Sequence, residues 1–275
     1  MKKPCLLGLF AAACFRTEPG PVVATIYPLA AIAGEIAGES VQVKGIVPPS
    51  ADPHSFEPSP ADAALLAGAG VVIYAGPVME PWVKESVGDR KDVVLVDASV
   101  SGKMEGNDPH VWLDPARAKM IASDVEKALS TRWPQDSLEF RANLARFEER
   151  VDSFDAWFRA RLDSVPERRF VSVHPAWNYF AARYGLVEVA SLNQTHGGET
   201  SPLDLARVVR LMNSQDVRAV FGSAREEYPG VSVLEREAQA RVARLDPIGD
   251  EGDPERSDYV GLLFYNARLM LGVLK

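Results

Sequence analysis

Cysteine is nearly absent from this chain. It has two in 275 residues, Cys5 and Cys14, both within the first fourteen positions. Beyond them no internal disulfide can form. Histidine is almost as scarce, with four. No apolar run approaches the roughly 20 residues that span a bilayer, and Leu6 to Ala13 is far too short to do so. An excess of base is lacking too. Lysine and arginine number 30 against 38 acidic residues, a net charge of −8. That excludes the basic footprint a nucleic-acid partner needs. The acidic balance serves solubility and is mildly favourable to cations. HExxH, GxSxG and a nucleophilic cysteine beyond the leader are missing, which removes the usual hydrolase signatures.

What is present begins with a leader. Lys2 and Lys3 precede the apolar run, and Ala11, Ala12 and Ala13 precede Cys14. The pattern is that of a secretory signal peptide over residues 1–13. Its ending resembles a bacterial lipobox, with Ala11 in the place where leucine is usual. Cys14 is therefore expected to carry a lipid. Residues 14–21 then form a linker, and the protein is anchored to a membrane face without a spanning helix.

From Val22 onward, β-branched runs alternate with helical stretches. Strands are predicted at 22–26, 41–47, 71–75 and 93–97, and helices at 29–37, 60–67 and 81–87, with 99–109 a loop. Helices follow from Pro115 to Arg132 and from Pro134 to about Ser164. In the second, Leu144, Phe147, Val151, Phe154, Phe158 and Leu162 recur at steps of three and four. After Pro166 the alternation restarts, with strands at 170–173, 186–190, 217–221 and 242–245. Helices are predicted there at 175–184, 202–213, 233–239 and 259–274. The expected fold class is α/β. Two lobes with parallel-type sheets, 22–133 and 166–275, are joined by one long rigid helix at 134–165.

Three of the four histidines share a setting. His54 follows Asp52-Pro53 just past a strand. His110 follows Asp108-Pro109 just before a helix. His174 follows a strand directly and precedes Pro175. Asp246 has the same setting, in Leu245-Asp246-Pro247. Ligands of open parallel α/β sheets gather beyond the carboxyl ends of the strands. Proline stiffens the adjoining backbone, as a site of fixed geometry requires. Asp52 and Asp108 are candidate acceptors for imidazole N–H groups, or plain Asp-Pro turn residues. His196 lacks the strand-end setting and is not counted as a ligand, although a lid contact stays open for it. Glu57 is either a general base or a surface residue.

The segments VVATIYPLAAIAGEIAG (22–38), DPHSFEPSPADAALLAGAGVVIYAG (52–76), DPHVWLDP (108–115), HPAWNYFAARYGL (174–186), SPLDLARVV (201–209) and ARLDPIGD (243–250) carry a resemblance. In order and spacing the chain resembles the metal-specific solute-binding proteins of bacterial zinc and manganese ABC importers. The resemblance implies two α/β lobes joined by a rigid helix, with the metal at the lobe interface. It implies His54, His110, His174 and Asp246 as metal ligands, and an ABC permease with its ATPase as partners. It also implies a monomer without catalytic residues. Many zinc-specific relatives carry a histidine- and acid-rich loop before the second metal histidine, but here residues 99–109 are short and without histidine.

Three imidazoles and a carboxylate suit Zn²⁺, which takes tetrahedral nitrogen ligands at about 2.0–2.1 Å. Mn²⁺ prefers more carboxylate oxygens. Zinc is therefore the expected cargo, with manganese or iron as the alternative. A zinc hydrolase and a surface adhesin are the readings from other classes.

Overall fold

The structure is a computed structural model that describes residues 20–192, 201–225 and 228–274. The leader with Cys5 and Cys14 and the segment holding His196 lie outside the described residues.

The first lobe opens with β1 (Val22–Ala24), α1 (Tyr27–Ala37), β2 (Val43–Gly45), α2 (Pro60–Ala67), β3 (Val71–Tyr74), α3 (Trp82–Val87) and β4 (Val94–Asp97). Every residue of β1 and β3 is buried, as strands covered on both faces must be. All pairings are parallel, in the order β2-β1-β3-β4. One turn of helix, α4 (Ala98–Ser101), stands where a loop was expected. The Asp97 side chain nucleates it by accepting the N–H groups of Ser99 and Val100. A 3₁₀ turn (Val111–Leu113) leads into α5 (Pro115–Arg132).

The linking helix, α6, spans Ser137–Leu162, and Pro134–Asp136 form a separate 3₁₀ turn before it. Its 26 residues reach about 39 Å at roughly 1.5 Å each. The buried stripe is Phe140, Asn143, Phe147, Val151, Phe154, Phe158 and Leu162. Asn143 takes the place that periodicity gave to Leu144. Its amide donates to the carbonyl of Ile36 at 2.9 Å, satisfying an orphan group at the end of α1.

The second lobe runs β5 (Arg169–Ser172), α7 (Asn178–Tyr184), β6 (Val187–Ser191), α8 (Pro202–Gln215), β7 (Ala219–Ser223), α9 (Pro229–Glu237), β8 (Arg241–Leu245) and α10 (Tyr259–Val273). The order β6-β5-β7-β8, again all parallel, repeats that of the first lobe. α7 starts at Asn178 rather than Pro175, because Ala176 N–H turns back onto the carbonyl of His174 at 2.8 Å.

The lobes are packed together. Phe154 of α6 meets Phe264 of α10 edge-on at 5.1 Å, and Phe158 meets Tyr184 of α7 at 4.7 Å. One hydrophobic core runs from Val22 in the first lobe through α6 to Phe221 and Tyr259 in the second. Across the seam the Trp112 indole donates to the carbonyl of Pro247 at 2.8 Å. The Tyr259 hydroxyl donates to the carbonyl of Trp112 at 2.6 Å.

Candidate metal centre

His54 lies on the long loop between β2 and α2. The Asp52 carboxylate shapes this loop. It accepts the His54 backbone N–H at 3.0 Å and the Ser55 hydroxyl at 3.2 Å. Asp52 is thus the turn-forming residue of this Asp-Pro-His stretch.

Asp108 plays the other part left open for it. Its Oδ1 accepts the backbone N–H of His110 at 3.1 Å and faces the ring Nδ1 at 2.7 Å. A carboxylate at that nitrogen keeps the proton on Nδ1 and turns the Nε2 lone pair outward. The amide of Asn178, from the second lobe, donates to the other Asp108 oxygen at 3.0 Å. Burial alone would raise the Asp108 carboxyl. The hydrogen bonds from His110, with help from Asn178, outweigh it and hold the group below the usual carboxylate range. His110 itself is almost fully buried, and Trp112 packs on it with ring centroids 5.3 Å apart.

His174 enters from the second lobe, two residues past β5. The N–H of Val173 on the carbonyl of Phe221, at 2.8 Å, extends the sheet up to it. The Nε2 atoms of His54 and His110 are 3.2 Å apart, and those of His174 and His110 are 3.3 Å apart. The three ring centroids form a nearly equilateral triangle with sides of 5.2, 5.3 and 5.2 Å. An ion bonded tetrahedrally at about 2.0–2.1 Å sets its nitrogens about 3.3–3.4 Å apart. The two nitrogen separations match that edge length. Among the described residues, these histidines form the one group of three or more metal-ligating side chains whose ligand atoms all lie within 4.8 Å of one another.

Asp246 stands outside that group. It directly follows β8 and is fully buried. Its backbone is clamped by Asn266, whose side-chain oxygen accepts the Asp246 N–H at 2.8 Å. The Asn266 amide donates back to the Asp246 carbonyl at 2.7 Å. The carboxylate is engaged on both oxygens. Oδ1 accepts from Arg225 Nε at 2.6 Å and from the Ile248 N–H at 3.0 Å. Oδ2 accepts from Arg225 Nη2 at 2.9 Å and from Arg256 Nη1 at 2.5 Å. Burial pushes this carboxyl up, but Arg225 prevails and holds it below its ordinary range, helped by backbone N–H groups. Glu57 is exposed, which fits a surface residue.

Arg225, Arg256, Asn178 and Asn266 escaped the sequence reading. For Arg225 a signal was available, since it stands two residues past a strand, as His174 does. Beside the histidines lies a cavity of about 690 Å³, bordered by His54, His174, Trp112, Trp177, Arg225 and Ile248 among others.

The model of the family described as ZnuA, the periplasmic component A of a zinc-uptake complex, matches residues 22–271. The zinc-binding lipoprotein AdcA of Streptococcus pneumoniae (strain ATCC BAA-255 / R6) is 26% identical over 305 residues. That match takes in 98% of this chain but 60% of the relative's length. A crystal structure of ZnuA superposes with a TM-score of 0.81 at 26% identity, covering 94% of this chain and all of the other. The Zn(II)-bound ZnuA-like domain of Streptococcus pneumoniae AdcA gives 0.78 at 26% identity, covering 93% of this chain and 98% of that domain.

Proposed function

This chain belongs to the ZnuA family of periplasmic zinc-uptake components, and on that footing we propose that it captures Zn²⁺ outside the cytoplasm and passes it to an ABC permease and its ATPase. The observation that carries the reading is the spacing of the three Nε2 atoms, 3.2 and 3.3 Å across His110. His54, His110 and His174 are the nitrogen ligands, and Asp246 is the fourth, reached once its carboxylate turns from Arg225. Neutral imidazoles favour zinc over manganese, which remains the alternative cargo together with iron. Related chains whose names state zinc binding point the same way. Cargo leaves as it arrived, so the protein binds and delivers without turnover.

All four proposed ligands come from a single chain, so capture needs no second copy and the working form is a monomer. Cys14 carries the lipid that keeps it at the outer face of the membrane. No helix among the described residues is long and apolar enough to cross a membrane.

Metal analysis of protein purified without chelator tests the assignment. About one zinc per chain is expected, and His174→Ala should retain none. Equal metal in both proteins would refute the site. Manganese outcompeting zinc at equal concentration would overturn the choice of cargo.

A further inference from the structure

Arg225 sits where both lobes and the fourth proposed ligand meet. It follows β7, a strand at the point where the order β6-β5-β7-β8 changes direction. Its guanidinium takes both oxygens of the buried Asp246, through Nε at 2.6 Å and Nη2 at 2.9 Å. Nη2 also donates to the carbonyl of Gly249 at 2.6 Å. Nη1 reaches across to the carbonyl of Pro49, on the first-lobe loop that carries His54. One side chain therefore ties the His54 loop to the Asp246 carboxylate.

We propose that Arg225 is a specificity-setting residue that competes with the metal for Asp246, so that capture exchanges a guanidinium for a divalent ion at that carboxylate. The inference rests on the three-histidine site described above. The two oxygens of Asp246 already accept four hydrogen bonds from Arg225, Arg256 and Ile248. A carboxylate offers about four lone-pair positions, so coordination requires one donor to leave. Arg225 is the donor with somewhere to go, since it borders the 690 Å³ cavity. Arg256 is tied to Asp253 at 2.8 Å as well and stays to balance the charge. A hydrated or singly charged cation gains too little at a carboxylate to displace a two-pronged ion pair. An ion that binds imidazole and carboxylate strongly gains enough. Arg225 thus sets a threshold that only such ions cross. Crossing it also removes the carboxylate half of the grip that holds the Pro49 loop.

Zinc affinity measured by chelator competition on the full chain tests this, with Arg225→Gln, Arg225→Lys, Asp246→Asn and the Arg225→Gln/Asp246→Asn pair. Arg225→Gln should bind zinc about ten- to hundredfold tighter, the fold-change of one charge-assisted contact. Arg225→Lys keeps the charge but cannot fork across two oxygens, and should fall between. In the Asp246→Asn background the gain should vanish. The visible spectrum of Co²⁺-loaded protein should change with Asp246→Asn and not with Arg225→Gln. Unchanged or weaker zinc binding in a folded Arg225→Gln protein would overturn the proposal. If that variant does not fold, Arg225→Lys decides by the same criterion. His174→Ala separates the two levels: zinc held at full affinity there would remove the site itself, whereas its loss beside an unaltered Arg225→Gln would remove the exchange alone.

Discussion

The two lobes share one strand order and part company at the same place in it. In each, the order turns between the first and third strands, β1 and β3 in one lobe and β5 and β7 in the other. That turning point is where α/β sheets open a crevice for ligands. In the first lobe Glu80 closes it. The side chain is fully buried and accepts the Ala75 N–H at 2.6 Å, just past the end of β3. In the second lobe the corresponding place carries His174 and Arg225 and borders a cavity. Topology fixes where a crevice forms, and the side chains at the strand ends decide whether it is filled or used. The first lobe supplies its two histidines from farther out, on the loops after β2 and α4.

The sharpest way to break that contrast is to remove a histidine. His110→Ala should lower zinc affinity by roughly a thousandfold or more, about 4 kcal/mol, read by chelator competition, while melting without metal shifts little. A loss no larger than that of an outer partner, ~10–100-fold, would put the site elsewhere. Glu80 gives the next largest effect. Burial, with a push from Asp97, outweighs the hydrogen bonds from the Thr25 side chain and the Ala75 and Gly76 backbone and raises its carboxyl to about 7. The unfolded chain ionises this group near ~4.3. The folded protein therefore keeps a proton that the unfolded chain releases, and stability falls as pH climbs from about 4.5 to 7 before levelling. The slope is worth on the order of 3 kcal/mol. Urea melts across this range should show it in the wild type and lose most of it in Glu80→Gln. An identical slope in both would mean the plug is not protonated.

Asp108→Asn tests whether the first lobe orients its ligand or only presents it. Loss of the carboxylate at Nδ1 should weaken zinc by ~10–100-fold. A change under about threefold would reduce Asp108 to a turn residue. Smallest is the contribution of Arg150, which joins Glu35 of α1 at 2.5 Å to Asp258 at the start of α10 at 2.7 Å. Exposed pairs of this kind are worth about 0–1 kcal/mol. Arg150→Ala should shift the melting midpoint only slightly and leave zinc binding unchanged. A loss of metal affinity there would show that the lobes are coupled through α6 rather than through the site.

Much of this fold was legible because its signals are local. The β-branched runs, the prolines that open α2, α5 and α8, and the three-four spacing of phenylalanines along α6 mark the elements without tertiary information. The histidines could be singled out because each sits beside a proline; His110 and His174 stand at element ends as expected, whereas His54, expected just past a strand, lies mid-loop, nine residues beyond β2. The surroundings of Asp246 were not legible. Its arginines lie 21 residues before it and 10 after it in sequence, and only the fold brings them onto one carboxylate. Asn143 and α4 were missed for a related reason. A polar residue in an apolar stripe reads as a break until the carbonyl it satisfies is seen. The Asp97 that nucleates α4 reads equally well as the end of a strand.

The core that passes without interruption from one lobe through α6 to the other has a consequence for how the chain falls apart. Phe154 and Phe158 face α10 and α7, so a fragment ending near residue 165 would present an aromatic ridge to water. Neither half should stand as an independent folding unit. Heat or denaturant should dissolve both lobes in a single cooperative step, and a protease cut between them should release fragments that aggregate rather than two soluble lobes.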